Sequence, residues 1–476
     1  MTRGILLINP PKIDGVAFTR EGRCEEREEV LGTVKPPLSL AIIASMLREK
    51  AFLFKLLDAT ALDLSAIQTI NLLEEEAFQP SMIVFCTTTP TIEADTSMMK
   101  CIKEHFGSVL IAFGPHTSAV PIESMEKFPD LDAVIIGEPE ETVLQIAMQK
   151  GNRLENVKGL CYRKNGHPIC NTERRGVQNL DTLPYPAWDL LPLEKYCMPL
   201  TGDRYVLVEV NRGCPFKCDF CVVPITHGNK FRERDPIRVV DEIEFLIRHY
   251  KLSTFYLWGD TVTLDKRFME AFCDEIIKRA ILIRWISNSR AETINNQAFA
   301  RKLKESGCWM LAMGVESSSD DIRERMQKCL QTQQIKQAFS LLRQVGIKSL
   351  AFFIFGHLGD TEASMQATSQ FATSLDPDYA SFYPAVPFPG TTLYEECLAN
   401  GLLTSQDWSK YEYSHYVIKT QYLNEHNVMQ ARSKAYRRFY FRPKFLFRQL
   451  KEIKSLHAFA FTIARGIRFI QWTMLK

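Results

Sequence analysis

Short, continuous apolar runs alternate with longer amphipathic segments in the first part of the chain. The apolar runs begin at residues 4, 54, 82, 109 and 133. Between them, segments such as 38–48 and 92–105 place apolar residues three and four positions apart, as a helix requires. Continuous apolar strands that alternate with helices are typical of parallel strands buried on both faces. The pattern therefore predicts an α/β fold that begins with a doubly wound parallel sheet over residues 1–148.

The same alternation returns after residue 204, with a period of roughly 30 residues. Six further apolar runs begin at residues 205, 254, 283, 310, 349 and 379. Six strand and helix units predict a partial TIM-type (β/α)6 barrel over residues 200–398, with its active site at the carboxyl ends of the strands. Residues 149–199 are Pro-rich and irregular, apart from a hairpin at 160–170, and are predicted to form a linker. Residues 399–476 are predicted to form a helical C-terminal extension.

Composition narrows the class of protein. The 476 residues are 46% hydrophobic and 24% charged, with a net charge of +2, as in a soluble chain of two or three domains without a global bias toward nucleic acid. No stretch has the apolar length of a transmembrane helix. Thirteen cysteines without a recognisable signal peptide indicate a reducing cytoplasm, where thiols bind metals rather than form disulfides. We expect a cytoplasmic protein.

Three closely spaced cysteines carry the strongest chemical signal. Cys214, Cys218 and Cys221 follow the apolar run at 205–210, in a loop bent by glycine and proline. Thiolates select zinc, copper(I) or iron–sulfur clusters, and a four-iron cluster held by three cysteines leaves one iron open to a small molecule. A structural zinc site with His227 as the fourth ligand is the alternative that the spacing leaves open.

The CxxxCxxC spacing, with an aromatic residue before the last cysteine, resembles the signature of the radical S-adenosylmethionine (SAM) superfamily. The resemblance implies a [4Fe-4S] cluster on these cysteines, whose open iron binds the amino and carboxylate groups of SAM and whose electron cleaves it. Downstream segments resemble further family elements in the expected order. The residues that they assign to SAM binding are Phe220, Gly259, Asp260, Arg290, Glu316 and Gly356.

These SAM assignments differ in how well they match the family. Gly259 and Asp260 stand where the family usually has Gly-Gly-Glu, so they are matched by position alone. The Arg290 guanidinium could pair with the SAM carboxylate, although a surface ion pair explains it equally well. Glu316 could accept a hydrogen bond from the ribose or the amine, and Gly356 could allow close approach to the adenine. No catalytic residue can be assigned beyond the cluster.

The loops at the carboxyl edge of the first sheet resemble those of the cobalamin-binding domain that precedes many radical SAM barrels. The residues implied are Pro10, Pro11, Thr87, Thr88, Gly114, Pro115, His116, Gly137 and Glu138. The Asp-x-His-x-x-Gly motif that supplies a cobalt ligand is absent, so a degenerate Rossmann-like domain without cobalamin is the alternative. The long loop at 16–29 is predicted to be either a lid or a solvated excursion.

The C-terminal stretch 430–476 is strongly basic, with twelve Lys or Arg against one acidic residue and with many interleaved aromatics. It predicts peripheral contact with the inner face of the membrane, with a solvated helical cap as the alternative. Nucleic acid is not favoured, because no RNA-binding module is recognisable. The run at 435–443 also resembles the tails of cobalamin-type radical SAM proteins that act on tetrapyrroles, hopanoids and other lipids, including the anaerobic magnesium-protoporphyrin ester cyclase branch.

Together these observations predict a cobalamin-dependent radical SAM enzyme of the methyltransferase or cyclase type, acting on a hydrophobic, lipid-like or tetrapyrrole-like substrate. Cofactors carry the difficult chemistry in such an enzyme, and an external donor such as flavodoxin or ferredoxin would supply the electrons. A radical SAM enzyme that modifies RNA and a non-catalytic zinc or lipid-binding protein are the alternatives.

Overall fold

The chain forms two large sheets, each flanked by helices. The structure is a computed structural model that describes residues 3–21, 34–149 and 153–452. The predicted α/β class and both predicted sheets are confirmed. The predicted loop at 16–29 lies partly outside the described residues, and so does the end of the C-terminal extension.

The first sheet has seven strands in the order β2-β1-β3-β4-β5-β6-β7. The strands are β1 (Arg3–Asn9), β2 (Phe54–Asp58), β3 (Gln79–Cys86), β4 (Val109–Phe113), β5 (Ala133–Ile135), β6 (Leu160–Lys164) and β7 (His167–Cys170). The first five are parallel, and their apolar runs are buried because helices cover both faces. Alternate residues of β1 enter opposite cores: Leu7 packs on one face of the sheet, and Leu6 and Ile8 pack on the other.

The hairpin β6–β7 joins this sheet as an antiparallel edge, so the sheet extends past residue 148. It turns at Asn165 and Gly166, as predicted, and both residues have positive φ. Cys161 and Cys170 face each other in register across the hairpin and form a disulfide. The expectation that thiols would not form disulfides was therefore wrong for this pair, because the cross-strand register brings the two side chains together.

Helices flank the first sheet, and their ends follow local sequence signals. They are α1 (Leu38–Glu49), α2 (Ala66–Glu75), α3 (Ile92–Phe106), α4 (Pro115–Ala119), α5 (Pro121–Lys127) and α6 (Glu140–Met148). The Ser65 side chain accepts a hydrogen bond from the Gln68 amide and so caps α2. Helix α3 ends at Gly107, which adopts the left-handed conformation.

The second sheet is the predicted partial barrel. Its strands and a short accompanying ribbon are β8 (Tyr205–Glu209), β9 (Asn211–Arg212), β10 (Arg232–Glu233), β11 (Thr254–Trp258), β12 (Arg284–Ser289), β13 (Cys308–Glu316), β14 (Lys348–Phe355) and β15 (Tyr379–Pro384). Six parallel strands follow in the order β8-β11-β12-β13-β14-β15, while β9 and β10 form a separate antiparallel ribbon. The barrel is open because no described strand joins β8 to β15.

Helices follow the barrel strands and form the C-terminal extension. They are α7 (Val223–Thr226), α8 (Pro236–Tyr250), α9 (Lys266–Lys278), α10 (Gln297–Glu305), α11 (Asp320–Arg325), α12 (Thr332–Val345), α13 (Glu362–Leu375), α14 (Thr392–Ala399), α15 (Glu425–Tyr440) and α16 (Pro443–Glu452). Short 3-10 turns lie at Leu154–Asn156, Leu180–Thr182, Trp188–Leu190, Leu193–Lys195, Ala291–Thr293 and Trp408–Lys410. The Asp235 side chain caps α8, and Pro236 occupies its first turn.

Helix α15 covers the open edge of the barrel at β15. Arg432 Nε donates to the Phe382 carbonyl at 2.9 Å, and the Tyr436 hydroxyl accepts from the Phe382 amide at 3.1 Å. The Tyr440 hydroxyl accepts from the Ala380 amide at 3.1 Å and donates to its carbonyl at 2.8 Å. Side chains thus satisfy an edge strand that would otherwise be open to pairing with another chain. This part of the basic stretch belongs to the barrel wall.

Helix α16 continues the basic stretch. Arg442 and Lys444 each pair with Asp376 at 2.7 Å, so part of the positive charge is neutralised within the chain. Phe441 and Leu446 remain 40% and 46% exposed. No helix in the described ranges is long and apolar enough to cross a membrane.

Candidate active site

The three cysteines lie in residues 213–222, between β9 and α7, beside the carboxyl ends of the barrel strands. We call this segment the cysteine loop. Gly213 opens the loop with a φ of +82°, and a Cβ there would lie 2.2 Å from the Lys230 carbonyl oxygen. Glycine is therefore required at this position for both conformation and space. Cys214 is buried, whereas Cys218 and Cys221 are half-buried.

Two cations lie near the Cys218 thiol, and each is paired with a carboxylate: Arg290 with Glu292, and Lys328 with Glu316. Arg290, which follows β12, places Nη1 3.8 Å from Cys218 Sγ and donates to the Lys328 carbonyl at 2.7 Å. Its guanidinium lies over the Phe216 ring at 3.6 Å. The donor set and the charge both fit an anionic iron–sulfur cluster.

Lys328 is a functional candidate that the sequence analysis missed. It lies in the loop after α11, and its Nζ donates to Glu316 Oε1 at 2.7 Å. Both side chains are buried. Burial opposes the charge on Lys328, but Glu316 and then Cys218 outweigh it and raise the pKa of the amine above its ordinary value. No motif marks this lysine, since its partner is twelve residues away on another element.

Glu316, which was predicted to contact SAM, ends β13 in an unusual backbone conformation. Its φ is +63°, and the register of β13 against β14 shifts between Gly314 and Glu316. Such irregularities redirect side chains and are common beside active sites. The carboxylate therefore turns toward Lys328 at the mouth of the barrel.

Gly259 and Asp260, also predicted to contact SAM, support the cysteine loop. Asp260 Oδ2 accepts from the Gly213 amide at 2.7 Å and lies 2.9 Å from His227 Nδ1. A Cβ on Gly259 would lie 2.5 Å from Asn211 Oδ1. Burial opposes charge on His227, but Asp260 outweighs it and raises the pKa of the imidazole. Among the described residues, no three His, Cys, Asp or Glu side chains are arranged to hold a single metal ion.

His357 and Asp219 link the cysteine loop to β14. His357 Nε2 lies 3.1 Å from Asp219 Oδ1, and Asp219 stands between Cys218 and Cys221 in the sequence. Both residues are buried. The Asp219 amide also donates to the Met326 carbonyl at 3.1 Å. The contact between His357 and Asp219 thus holds the cysteine loop against the end of β14. The spacing of these residues in the sequence does not reveal it.

Replacing His357 with leucine is expected to lower the free energy of unfolding by about 2 kcal/mol, because Asp219 would remain buried without this partner. Urea denaturation at neutral pH measures the change. His249→Leu is the control, since His249 is exposed, its Nδ1 contacts the Phe245 carbonyl and its ring stacks on the Phe245 ring, where leucine keeps an apolar contact; we expect a change within about 0.5 kcal/mol. Equal effects of the two substitutions would contradict this role of His357.

Gly356 and Phe220, the remaining SAM candidates, lie close to the same loop. Gly356 has a φ of +79°, and a Cβ there would lie 2.7 Å from the Tyr416 ring. The Tyr416 hydroxyl donates to the Gly356 carbonyl at 2.7 Å. The close approach at this glycine is therefore made by the C-terminal extension. Phe220 packs against the main hydrophobic core.

Pro10 and Pro11, the candidate cobalamin contacts after β1, accept hydrogen bonds from Arg20. This side chain donates to the Pro10 and Pro11 carbonyls at 3.2 and 3.1 Å and forms a two-point ion pair with buried Asp95. Thr87 donates to the same Asp95 at 2.9 Å. These groups form a self-contained polar network at the edge of the sheet.

The neighbouring candidates lie where β3 and β4 end. Thr88 is buried, and Gly114 and Pro115 lead into α4. His116 Nδ1 lies 3.2 Å from Thr89 Oγ1, and its ring meets Trp408 edge-on. Burial lowers the pKa of His116 to about 3, so the imidazole is neutral. Its Nε2 is buried and has no hydrogen-bond partner within the part of the chain that the structure describes.

The end of β5 brings the sheet edge to the cysteine loop. The Cβ position of Gly137 lies 3.6 Å from the carbonyl oxygen of Thr226, on the helix that follows Cys221. Glu138 pairs with Arg212 at 3.2 Å and with Arg232 at 2.5 Å. Its carboxylate is thus bound by two barrel arginines. The end of β5 and the helix after Cys221 are therefore in direct contact, and a buried imidazole nitrogen without a partner among the described residues lies at the same edge of the sheet.

Glu21 is a second residue that sequence reasoning missed. Its carboxylate accepts from the Ser39 amide at 2.9 Å and contacts the Ser39 hydroxyl at 3.0 Å. The pKa of Glu21 is raised from 4.5 to about 7, mainly by burial. The hydrogen bonds from Ser39 oppose this rise, and the nearby charges of Glu140 and Glu209 contribute to it. The folded protein therefore holds a proton here that the unfolded chain releases near pH 4.5.

Glu21→Gln is expected to stabilise the protein at pH 8 but not at pH 4. Below pH 4.5 both states of the wild type carry the proton, and as pH rises to about 7 only the folded state keeps it, at a cost of about 3 kcal/mol. Glutamine keeps the shape and cannot ionise. Urea denaturation at both pH values measures the difference between the two proteins. A difference that does not change with pH would contradict the prediction.

A loop with three cysteines beside a six-stranded partial barrel defines a class of enzyme. The family model of the radical SAM superfamily matches residues 208–372. A Pyrococcus horikoshii protein described as an uncharacterized methyltransferase is 34% identical over 98% of this chain and 97% of its own length. The chain belongs to the radical SAM superfamily, as predicted.

Further comparisons support the methyltransferase and cyclase type of enzyme within that superfamily. The anaerobic magnesium-protoporphyrin IX monomethyl ester cyclase of Rubrivivax gelatinosus is 26% identical over 86% of this chain and 75% of its own length. The solved structure of the cobalamin-dependent SAM radical enzyme OxsB, with aqua-cobalamin and SAM bound, has a TM-score of 0.74 at 16% identity and covers 99% of this chain and 72% of that one. This likeness confirms the predicted fold.

Proposed function

We propose that the chain is a cobalamin-dependent radical SAM enzyme that modifies an unactivated carbon of a hydrophobic substrate, by methylation, cyclisation or rearrangement. One observation carries the proposal: the carboxyl end of β5 lies against α7, the helix that directly follows the cysteine loop. A ligand at the sheet edge would therefore meet a ligand at the barrel mouth. The fold shared with OxsB supports the same arrangement.

In this proposal Cys214, Cys218 and Cys221 hold a [4Fe-4S] cluster. When bound, the cluster and SAM supply one-electron chemistry for hydrogen abstraction, and cobalamin supplies methyl transfer. Arg290 and Lys328 place positive charge beside Cys218, which favours an anionic centre and suits the SAM carboxylate. The buried surroundings exclude water and strengthen these electrostatic contacts.

The sheet edge formed by Thr88, Gly114, Pro115, His116 and Gly137 would hold cobalamin. Neutral His116 offers a buried ring nitrogen without a described partner. Pro10, Pro11, Thr87 and Glu138 would act indirectly, because their polar groups bind Arg20, Asp95, Arg212 and Arg232. Similarity to the porphyrin-ester cyclase supports a tetrapyrrole-like or lipid-like substrate.

Anaerobic purification and reconstitution test the cofactors. We expect a brown protein with about four irons per chain, a cobalamin absorption spectrum and reductant-dependent release of 5′-deoxyadenosine or methionine from SAM. A colourless zinc protein would refute the cluster. Four irons without uptake of cobalamin would refute the cobalamin assignment alone. Flavodoxin or ferredoxin, supplied with its reductase, should replace a chemical reductant.

The substrate is tested with SAM that carries a labelled methyl group. We expect label or SAM-dependent mass change in a lipid or tetrapyrrole fraction of an anaerobic extract. Modification of RNA in the same extract would favour the alternative RNA-modifying enzyme, which the sequence left open. Heat-treated protein is the control for non-enzymatic transfer.

We also propose peripheral membrane contact through the C-terminal extension. Phe441, Leu446 and Phe447 are exposed, and the basic residues Arg437 and Arg438 are exposed nearby. Apolar groups next to basic ones suit an interface with anionic lipid.

Pelleting with anionic liposomes tests the membrane contact. The truncation should remove 453–476 and keep α15, because deletion from residue 430 would strip the cover from β15 and confound the result. We expect the truncated protein, and a full-length triple variant with serine at 441, 446 and 447, to stay in the supernatant more than the wild type does. Equal recovery in the supernatant for all three would sink the proposal.

A further inference from the structure

A buried cluster of charged side chains joins the two sheets beside the cysteine loop. Glu138 lies in the loop between β5 and α6, Glu140 is the first residue of α6, and Arg212 and Arg232 come from the ribbon β9–β10. All four side chains are less than a tenth exposed. We call these four residues the domain clamp.

Arg212 makes the most contacts in the domain clamp. Its guanidinium lies 3.2 Å from Glu138, 2.6 Å from Glu140 and 2.7 Å from Glu209, which ends β8. Arg212 is also two residues before Cys214. Arg212, close in sequence to a proposed cluster ligand, is therefore held by Glu138 and Glu140 of the N-terminal domain.

Arg232 holds the segment that follows the cysteine loop. It pairs with Glu138 at 2.5 Å and donates to the His227 carbonyl at 2.8 Å. It stands opposite Arg212 in the antiparallel ribbon, so the two arginines close the loop that carries the three cysteines. The His227 ring then contacts Asp260, which accepts from the Gly213 amide.

The composition of the domain clamp argues for a role other than stability. The two carboxylates of the domain clamp, together with Glu209 outside it, face its two guanidinium groups, and Glu140 Oε2 has no hydrogen-bond partner among the described residues. Buried ion pairs seldom stabilise more than apolar packing of the same volume would, although they fix geometry strictly. An interface that served only to hold two domains together would not need this charge.

We infer that the domain clamp sets the distance and orientation between the sheet edge at Gly137 and the cysteine loop. This inference rests on the proposed function, in which cobalamin occupies that edge and the cluster occupies that loop. Glu138, Glu140, Arg212 and Arg232 are then positioning residues, because their charged groups pair with one another and would act on the cofactors through the backbone on either side. Reaction between two bound cofactors depends steeply on their relative placement.

Electron paramagnetic resonance tests the inference in the reconstituted full chain. A reduced cluster and cob(II)alamin each carry an unpaired spin, and their dipolar coupling falls with the cube of the distance. We expect Glu138→Gln and Glu140→Gln to keep the iron and cobalamin content of the wild type but to lose or broaden its coupling. Glu141→Gln is the matched control, since Glu141 lies in the same segment, is exposed and pairs with Arg174 at 3.1 Å.

Each outcome decides the matter. Wild-type coupling in both variants, with both cofactors bound, would overturn the inference. Loss of iron or cobalamin from Glu140→Gln would also overturn it, because the residue would then hold a cofactor or the fold rather than the spacing. If the wild type binds no cobalamin, the proposed function fails instead. Hydrogen exchange then decides: amides of 213–231 should exchange about tenfold faster in Glu138→Gln than in Glu141→Gln, and equal rates would overturn the inference.

Discussion

Cys218→Ala is expected to abolish the iron centre and every SAM-dependent activity. In the proposed function each of the three thiolates would hold one iron of the cluster, and an alanine would leave one iron without a protein ligand. Arg290 would also lose its contact with the thiol at 3.8 Å. We expect iron content to fall toward background and SAM cleavage to drop at least roughly a thousandfold, which corresponds to about 4 kcal/mol in the barrier.

Iron analysis, the visible spectrum of the cluster and release of SAM fragments measure the effect on anaerobically reconstituted protein. Cys101→Ala is the matched control, because Cys101 is exposed on α3 in the N-terminal sheet region, and we expect wild-type iron. Circular dichroism checks that both variants fold. A folded Cys218→Ala protein with four irons would show that the loop does not hold the cluster as proposed.

The fold could be predicted from the sequence because its signals are local. Strands β4, β11 and β15 begin at residues 109, 254 and 379, where their apolar runs were predicted to begin, since each is a short and mostly apolar run. The hairpin β6–β7 was predicted as well, but its membership of the first sheet was not. Pairing of an edge strand depends on tertiary contacts, which the periodicity of a single segment does not encode.

The candidate site could be predicted only in part, for a similar reason. The cysteines lie within eight residues of one another, and Arg290 and Glu316 follow strands that the pattern revealed. Lys328 and His357 could not be assigned, because each acts through a partner on a separate element. Side-chain pairings of this kind leave no trace in spacing.

The location of Glu138 was predicted, but its contacts with two arginines of the barrel were not. The motif placed it at the edge of the sheet, and it does lie there, where the two domains meet. Its carboxylate faces Arg212 and Arg232, which lie 74 and 94 residues further along the chain. Burial opposes its ionisation, but the two arginines outweigh burial and hold its pKa below the ordinary value. The Glu138 carboxylate thus connects the two domains rather than being free to contact a ligand.

Lys328→Met is expected to lower the free energy of unfolding of the cofactor-free protein by about 3–5 kcal/mol, because it leaves the Glu316 carboxylate buried without its cation. The pair is 2.7 Å apart, and both side chains are less than a tenth exposed. Methionine has nearly the shape of the lysine stem, so the loss reports charge rather than volume. Urea denaturation followed by circular dichroism measures it.

Two further variants separate the charge effect from general damage. Lys302→Met removes a surface pair with Asp274, where lysine is 32% exposed, and should cost at most about 1 kcal/mol. The double variant Lys328→Met with Glu316→Gln removes both charges and should recover about half of the loss, since an amide is cheaper to bury than a carboxylate. Strictly additive losses in the double variant would mean that Lys328 and Glu316 do not stabilise each other.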